Sequence, residues 1–177
     1  RGAVTVPIYT TYRAAQVAEL LADSGAAVAF AGGPADLEKL RAARAACPEL
    51  RLIVSMEGGG SAPDVMALSA LAATGQARRA ADPGEFDREA DAVRPGDLAT
   101  LIYTSGTTGE PKGTMLTHGN FASDVEAALP SLPLRDSDVA LSFLPLSHVF
   151  ERMLEYSYFA RGIPIAYVES IDRISEA

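Results

Sequence analysis

Tyr103-Thr104-Ser105-Gly106-Thr107-Thr108-Gly109-Glu110-Pro111-Lys112-Gly113 gathers into one stretch the groups that hold a polyanion. Gly106, Gly109 and Gly113 open backbone conformations in which successive N–H groups turn inward to form an anion-binding concavity. Thr104, Ser105, Thr107 and Thr108 add hydroxyl donors, and Lys112 adds a compact, mobile positive charge. A hydrogen bond to a charged group contributes roughly 1.5–3 kcal/mol, so a handful of such donors holds a triphosphate without a large apolar contact. The order of residues is not that of Walker A, because Lys112 is followed by Gly113 rather than Ser or Thr, and it is not Gly-x-Gly-x-x-Gly, so a dinucleotide fingerprint has no support. By composition alone, a polar surface linker is the competing reading.

A second candidate is His148, in Leu144-Pro145-Leu146-Ser147-His148-Val149-Phe150-Glu151-Arg152. It falls where a strand ends and a helix begins, the place where α/β sheets bind ligands. A histidine there also serves as a helix cap or a satisfied core residue. Phe150, Met153, Leu154, Tyr156, Tyr158 and Phe159 crowd the helix that follows; such stripes are usually core, though some can line an apolar tunnel. Cys47 reads as a small side chain near a helix end rather than a thiol nucleophile.

The elements that position these residues follow the βα rhythm of a mostly parallel sheet with helices on both faces, an α/β fold. Ala3 to Val6 reads as a strand ended by Pro7. Val17, Leu20 and Leu21 recur at helical spacing between Arg13 and Ser24, and Gly25 stops that helix. Ala27 to Ala31 reads as a buried strand, Pro34 opens the next helix, and Leu52 to Val54 is the third strand. Glu57 to Pro63 is a loop or subdomain connection, and Asp64 is placed to cap a helix through about Thr74, with Gly75 at its end. Asp82 to Val93 reads as a solvated helix, and Arg94 to Asp97 as the turn into a strand from Leu98 to Tyr103. Beyond the glycine-rich stretch, Thr114 to Leu116 is a short strand, and Asn120 is placed to cap a helix carrying Phe121, Val125, Ala128 and Leu129. Val139 to Leu144, a helix from His148 to Arg161 stopped by Gly162, and Pro164 to Val168 complete the pattern. Three regions follow: a βα scaffold (1–56), a connection (57–97) and the region of the candidate site (98–177).

The 177 residues, 48% hydrophobic, suffice for a packed core. A net charge of -8 argues against a nucleic-acid partner, so any polyanion must be held by local donors. Cys47 is the single cysteine, which permits no internal disulfide and fits a reducing compartment. The 177 residues themselves contain neither an apolar run of membrane-spanning length nor a signal peptide, and a segment preceding Arg1 is left open to carry one. The chain starts at Arg1 and stops at Ile174-Ser175-Glu176-Ala177, where a helix is beginning, and is expected to be a piece of a longer protein.

The stretch from Tyr103 to Gly113 closely resembles the phosphate loop of the adenylate-forming superfamily: acyl-CoA synthetases, luciferases and amino-acid adenylation domains. Pro145-Leu146-Ser147-His148-Val149-Phe150-Glu151-Arg152 resembles a second motif in its long-chain fatty acyl-CoA synthetase form. The resemblance extends to Val6-Pro7-Ile8-Tyr9-Thr10-Thr11, to Ala15-Gln16-Val17 and to Leu116-Thr117-His118-Gly119-Asn120, nearly the whole chain. It implies part of the large N-terminal domain of an enzyme that joins a fatty acid to ATP, giving acyl-AMP and pyrophosphate, and then transfers the acyl group to CoA. ATP, Mg²⁺ and CoA are then the expected cofactor and substrates. Thr104, Ser105, Gly106, Thr107, Thr108, Gly109 and Lys112 are the expected phosphate contacts. Lys112 and His148 are the expected catalytic residues, His148 beside the acyl and adenylate pockets, while His118 shapes the turn. The family's Tyr-Gly-x-Thr-Glu motif, its ribose-binding Asp and its C-terminal lysine domain are not found in this stretch, which alone is expected to be inactive. A cytoplasmic location is expected, with peripheral membrane contact by the parent left open. A fatty acyl-AMP ligase, an aryl- or amino-acid-adenylating enzyme, a non-catalytic nucleotide-binding module and a purely structural α/β domain remain alternatives.

Overall fold

The computed structural model describes residues 2–58, 64–105 and 111–168. The helix start expected at 174–177 and most of the connection expected at 57–63 lie outside them. Two compact units result, one of Arg1–Val93 with Tyr103–Gly113, the other of Arg94–Ile102 with Thr114–Ala177.

In the first unit, β1 (Val28–Ala31), β2 (Leu52–Ser55) and β3 (Val65–Ala67) form a parallel sheet in that order, with Ala29 beside Ile53 and Ile53 beside Val65. Helices α1 (Ala14–Ser24) and α2 (Pro34–Ala43) precede and follow β1, and α3 (Leu68–Ala81) and α4 (Glu85–Asp91) follow β3. Val17 and Leu21 of α1 and Leu40 and Ala43 of α2 pack with Ala29, Ala31, Ile53 and Val65 into one core. Gly25 ends α1 at φ 61°, a left-handed conformation a Cβ disfavours, and Pro34 opens α2 where its missing N–H costs nothing. Cys47 lies in the same core, its thiol donating to the Ala18 carbonyl at 3.4 Å. Burial pushes that thiol up from its ordinary pKa, which suits an inert packing group.

Three expectations change here. Ala3 to Val6 forms no strand beyond an isolated bridge at Thr5, since Pro7 has no N–H to extend a ladder. The strand read as buried alternates instead: Ala29 and Ala31 face the core while Val28 and Phe30 are exposed. Val65 to Ala67 joins the sheet, so the helix expected at Asp64 starts only at Leu68 and runs through Gly75 to Ala81. Pairing with β2 and burial of Val65 override the helical periodicity, and Ala-rich flanks offset the roughly 1 kcal/mol cost of an interior glycine. The acidic stretch after α3 is solvated as read, with Glu85 paired to Arg78 at 2.5 Å, which holds the Glu85 carboxyl below its usual range.

Strands β4 (Leu98–Ser105) and β5 (Pro111–Thr117) pair with each other and contribute residues to both units. The rest of the second unit is α5 (His118–Ala128), β6 (Ala140–Ser142), α6 (Val149–Arg161) and β7 (Ile165–Tyr167), with β6 and β7 parallel. The cap of α5 is Thr117, not Asn120: Thr117 Oγ1 accepts the Asn120 N–H at 3.2 Å while Asn120 Oδ1 accepts the Thr117 N–H at 2.9 Å. This reciprocal box satisfies two donors at once, which a cap at Asn120 would not. The Gly119 N–H donates to the Pro95 carbonyl at 2.7 Å, and a Cβ at Gly119 would sit 2.9 Å from that oxygen. Gly119→Ala is therefore expected to cost about 1–3 kcal/mol of stability, read as a lowered unfolding midpoint.

Candidate functional site

Both strands of the β4–β5 pair run further toward their connection than expected. Thr104 and Ser105 close β4, and Pro111, Lys112 and Gly113 open β5, rather than lying in a loop. Gly106, Thr107, Thr108 and Gly109 lie outside the described residues, as does the side chain of Ser105. The short connection fits only an antiparallel pair, since a parallel return needs a crossover of a dozen or more residues. Tyr103 is buried, its ring lying where a Cβ on Gly113 would meet Cζ at 3.1 Å. Gly113 thus serves close approach; it is not one of the glycines with positive φ, which among the described residues are Gly25, Gly58 and Gly162. Side chains alternate along a strand, so Thr104 and Lys112 project to the face opposite Tyr103 and Gly113, and both are exposed. The stem therefore presents a hydroxyl and an ammonium together on one open face.

The Tyr103 phenol donates to Asp23 Oδ2, in the last turn of α1, at 2.5 Å. Burial first, then this bond and the carboxylate charge, push the phenol up to about 12, while a hydrogen bond from Ser24 acts the other way. Sequence reasoning missed Asp23, because nothing in the primary structure ties it to a residue so far along the chain.

His148 lies in the second unit and Lys112 in the first. The helix begins at Val149, with His148 as its N-cap: Nδ1 accepts the Phe150 N–H at 3.3 Å. An Nδ1 that accepts leaves the ring proton on Nε2, so the neutral ring is a hydrogen-bond donor at its outer nitrogen. Both readings of this residue, cap and site, are thus compatible in one tautomer. Asparagine also caps well, so His148→Asn is expected to hold the unfolding midpoint while His148→Ala loses about 1 kcal/mol. Thermal unfolding of both variants separates the cap from any chemistry. Around His148, Phe143, Leu146, Val149 and Phe150 expose apolar surface.

Beneath α6 the chain buries two carboxylates. Glu151 and Glu155, one turn apart, both approach the Ser142 hydroxyl, at 2.7 and 3.2 Å. On another side of the helix, Arg152 Nη1 donates to Thr100 Oγ1 at 2.8 Å, and its guanidinium lies 5.7 Å from the centre of the Phe121 ring. Phe121 in turn meets Tyr156 edge to face, with centroids 5.0 Å apart. The Glu151-Arg152 pair of the motif thus ties α6 to β6, β4 and α5. The i, i+4 spacing of Glu151 and Glu155 places both on one face of α6, but nothing in the sequence announced their burial. An open cleft of about 400 Å³ is lined by Ala99, His118, Phe121, Ala122, Val125 and Tyr156, so His118 rather than His148 borders it. The His118 backbone N–H donates to Asp97. Among the described residues, no three His, Cys, Asp or Glu side chains gather where they would hold a metal ion, and no helix is long and apolar enough to cross a membrane.

The sequence pattern of the AMP-binding enzyme family matches residues 1–177. The chain belongs to this family. Within it, the chain is 37% identical over 175 residues to long-chain-fatty-acid–CoA ligase FadD15 of Mycobacterium bovis, covering 98% of itself and 28% of that protein. It is 33% identical to long-chain-fatty-acid–CoA ligase 1 of Cavia porcellus, covering 97% and 26%. The chain therefore spans little more than a quarter of the length of these relatives. Among solved structures, the inhibitor-bound N-terminal domain of FACL13 from Mycobacterium tuberculosis superposes with a TM-score of 0.67 at 26% identity, over 98% of this chain and 39% of that one. The α/β fold of this chain matches part of the N-terminal domain of that inhibitor-bound structure.

Proposed function

We propose that the longer protein carrying this chain is a long-chain fatty acid–CoA ligase. The observation that carries the reading is its identity, over nearly its whole length, with ligases of that name. In the first step the fatty carboxylate attacks the α-phosphorus of ATP, the bond to the β-phosphate oxygen breaks, and acyl-AMP and pyrophosphate form. In the second, the CoA thiol displaces AMP from the acyl carbonyl.

Both reactants of the first step are anions, so their meeting needs positive charge and donors placed in advance. Lys112 and Thr104, exposed together on the stem, are suited to the β- and γ-phosphates, with Ser105, Gly106, Thr107, Thr108 and Gly109 completing the contacts. Opposite charges at 4 Å are worth roughly 4 kcal/mol at an effective dielectric of 20, enough to orient a leaving group. His148, donating through Nε2, is suited to an oxygen of the carboxylate or adenylate, and the apolar side chains beside it suit an acyl chain. Mg²⁺ bound to the nucleotide supplies further charge neutralisation; no described residue is assigned to it. A substrate that partitions into bilayers fits a cytoplasmic enzyme with peripheral membrane contact.

The test is acid-dependent pyrophosphate exchange and AMP release by the full-length protein across acid chain lengths, with and without CoA. Long-chain acids should give exchange, and CoA should give AMP and thioester. Exchange without thioester formation would indicate an acyl-AMP ligase, and preference for an aryl or amino acid would overturn the fatty-acid assignment.

A further inference from the structure

We infer that Asp23 is a positioning residue for the phosphate-handling stem, acting through Tyr103. This rests on the nucleotide reading of Lys112 and Thr104 proposed above. Tyr103 immediately precedes Thr104, and Gly113 immediately follows Lys112. The Tyr103 ring lies against Gly113, in the space where a side chain there would have stood, so a single aromatic ring contacts both strands beside the two presented donors. That ring is held at its far end by the hydrogen bond to Asp23, 80 residues earlier. Fixing the phenol fixes the ring, the ring fixes the spacing of β4 and β5, and that spacing sets where Thr104 and Lys112 project.

The position of Asp23 independently suggests a role outside its own helix. It occupies the last turn of α1, where a carboxylate faces the negative end of the helix dipole and weakens the helix. No basic residue accompanies it in that turn. Asp23 is also exposed, so burial does not account for its placement. An acidic residue that harms its helix and packs no core is explained by the partner it holds. The high pKa of the Tyr103 phenol keeps the donor protonated throughout the neutral range.

The full-length enzyme carrying Asp23→Ala, Asp23→Asn, Tyr103→Phe or Lys112→Ala tests this by oleate-dependent ATP–pyrophosphate exchange. Asp23→Ala and Tyr103→Phe are each expected to raise KM for ATP and lower kcat, together about five- to tenfold in kcat/KM, with KM for oleate unchanged. Asp23→Asn should restore most of the loss, because a carboxamide oxygen still accepts the phenol proton. The double variant should be no worse than either single one, since both remove the same bond. The inference is overturned if Asp23→Ala has wild-type ATP kinetics while Lys112→Ala is impaired. It is overturned also if Asn and Ala fail equally and both lower the unfolding midpoint. Wild-type kinetics for Lys112→Ala would instead sink the underlying nucleotide reading. If Asp23→Ala does not fold, Tyr103→Phe, which keeps the ring over Gly113, removes the same hydrogen bond and decides the question by the same ATP kinetics.

Discussion

Lys112→Ala in the full-length protein is expected to lower kcat/KM for ATP in the adenylation step by about 10- to 150-fold, the equivalent of losing one charge-assisted bond of roughly 1.5–3 kcal/mol. Stability should hardly change, because Lys112 is exposed on the stem and packs no core. Lys112→Arg should recover only part of the loss: it keeps the charge but replaces a compact ammonium with a planar fork. Acid-dependent pyrophosphate exchange against ATP concentration measures the effect, with the unfolding midpoint as control. An unchanged ATP dependence in a folded Lys112→Ala protein would remove the lysine from the nucleotide site.

The largest stability effect is expected at Ser142. Its hydroxyl is buried and approached by two buried carboxylates, but it has one proton to give, and the 2.7 Å contact with Glu151 is the better bond. The largely exposed Tyr167 phenol is raised by partial desolvation, then by a hydrogen bond to Glu155 and by the charge of both glutamates. Ser142→Ala strips the hydroxyl from both carboxylates without letting water in, and is expected to cost about 2–4 kcal/mol. Arg161→Ala, which removes only an exposed pair with Asp136, should stay within about 0.5 kcal/mol of wild type. Urea unfolding of the two variants side by side checks both. Because α6 carries His148 at its start, Ser142→Ala should also lower acid-dependent exchange.

Local signals were legible in the primary structure wherever one residue decides a backbone state. Gly25 and Gly162 end helices in the left-handed region, and Pro34 opens one, all as their types require. The order of residues from Tyr103 to Gly113, and the second motif around His148, were enough to read the family, and the match to the AMP-binding enzyme family agrees.

What the chain could not announce by itself were the choices made by pairing partners. Val65 to Ala67 carries helical periodicity and becomes a strand because β2 offers an edge. Thr117 displaces Asn120 as the cap because only Thr117 allows the reciprocal bonds. Gly113 looked like a glycine kept for its dihedral freedom and proved to be kept for the ring of Tyr103. Asp23 reaches Tyr103 only when α1 is laid beside the end of β4. Residue types dictate which backbone states and which chemistry are available over a few positions. Contacts between distant positions depend on how the elements pack, and a one-dimensional pattern does not carry that distance.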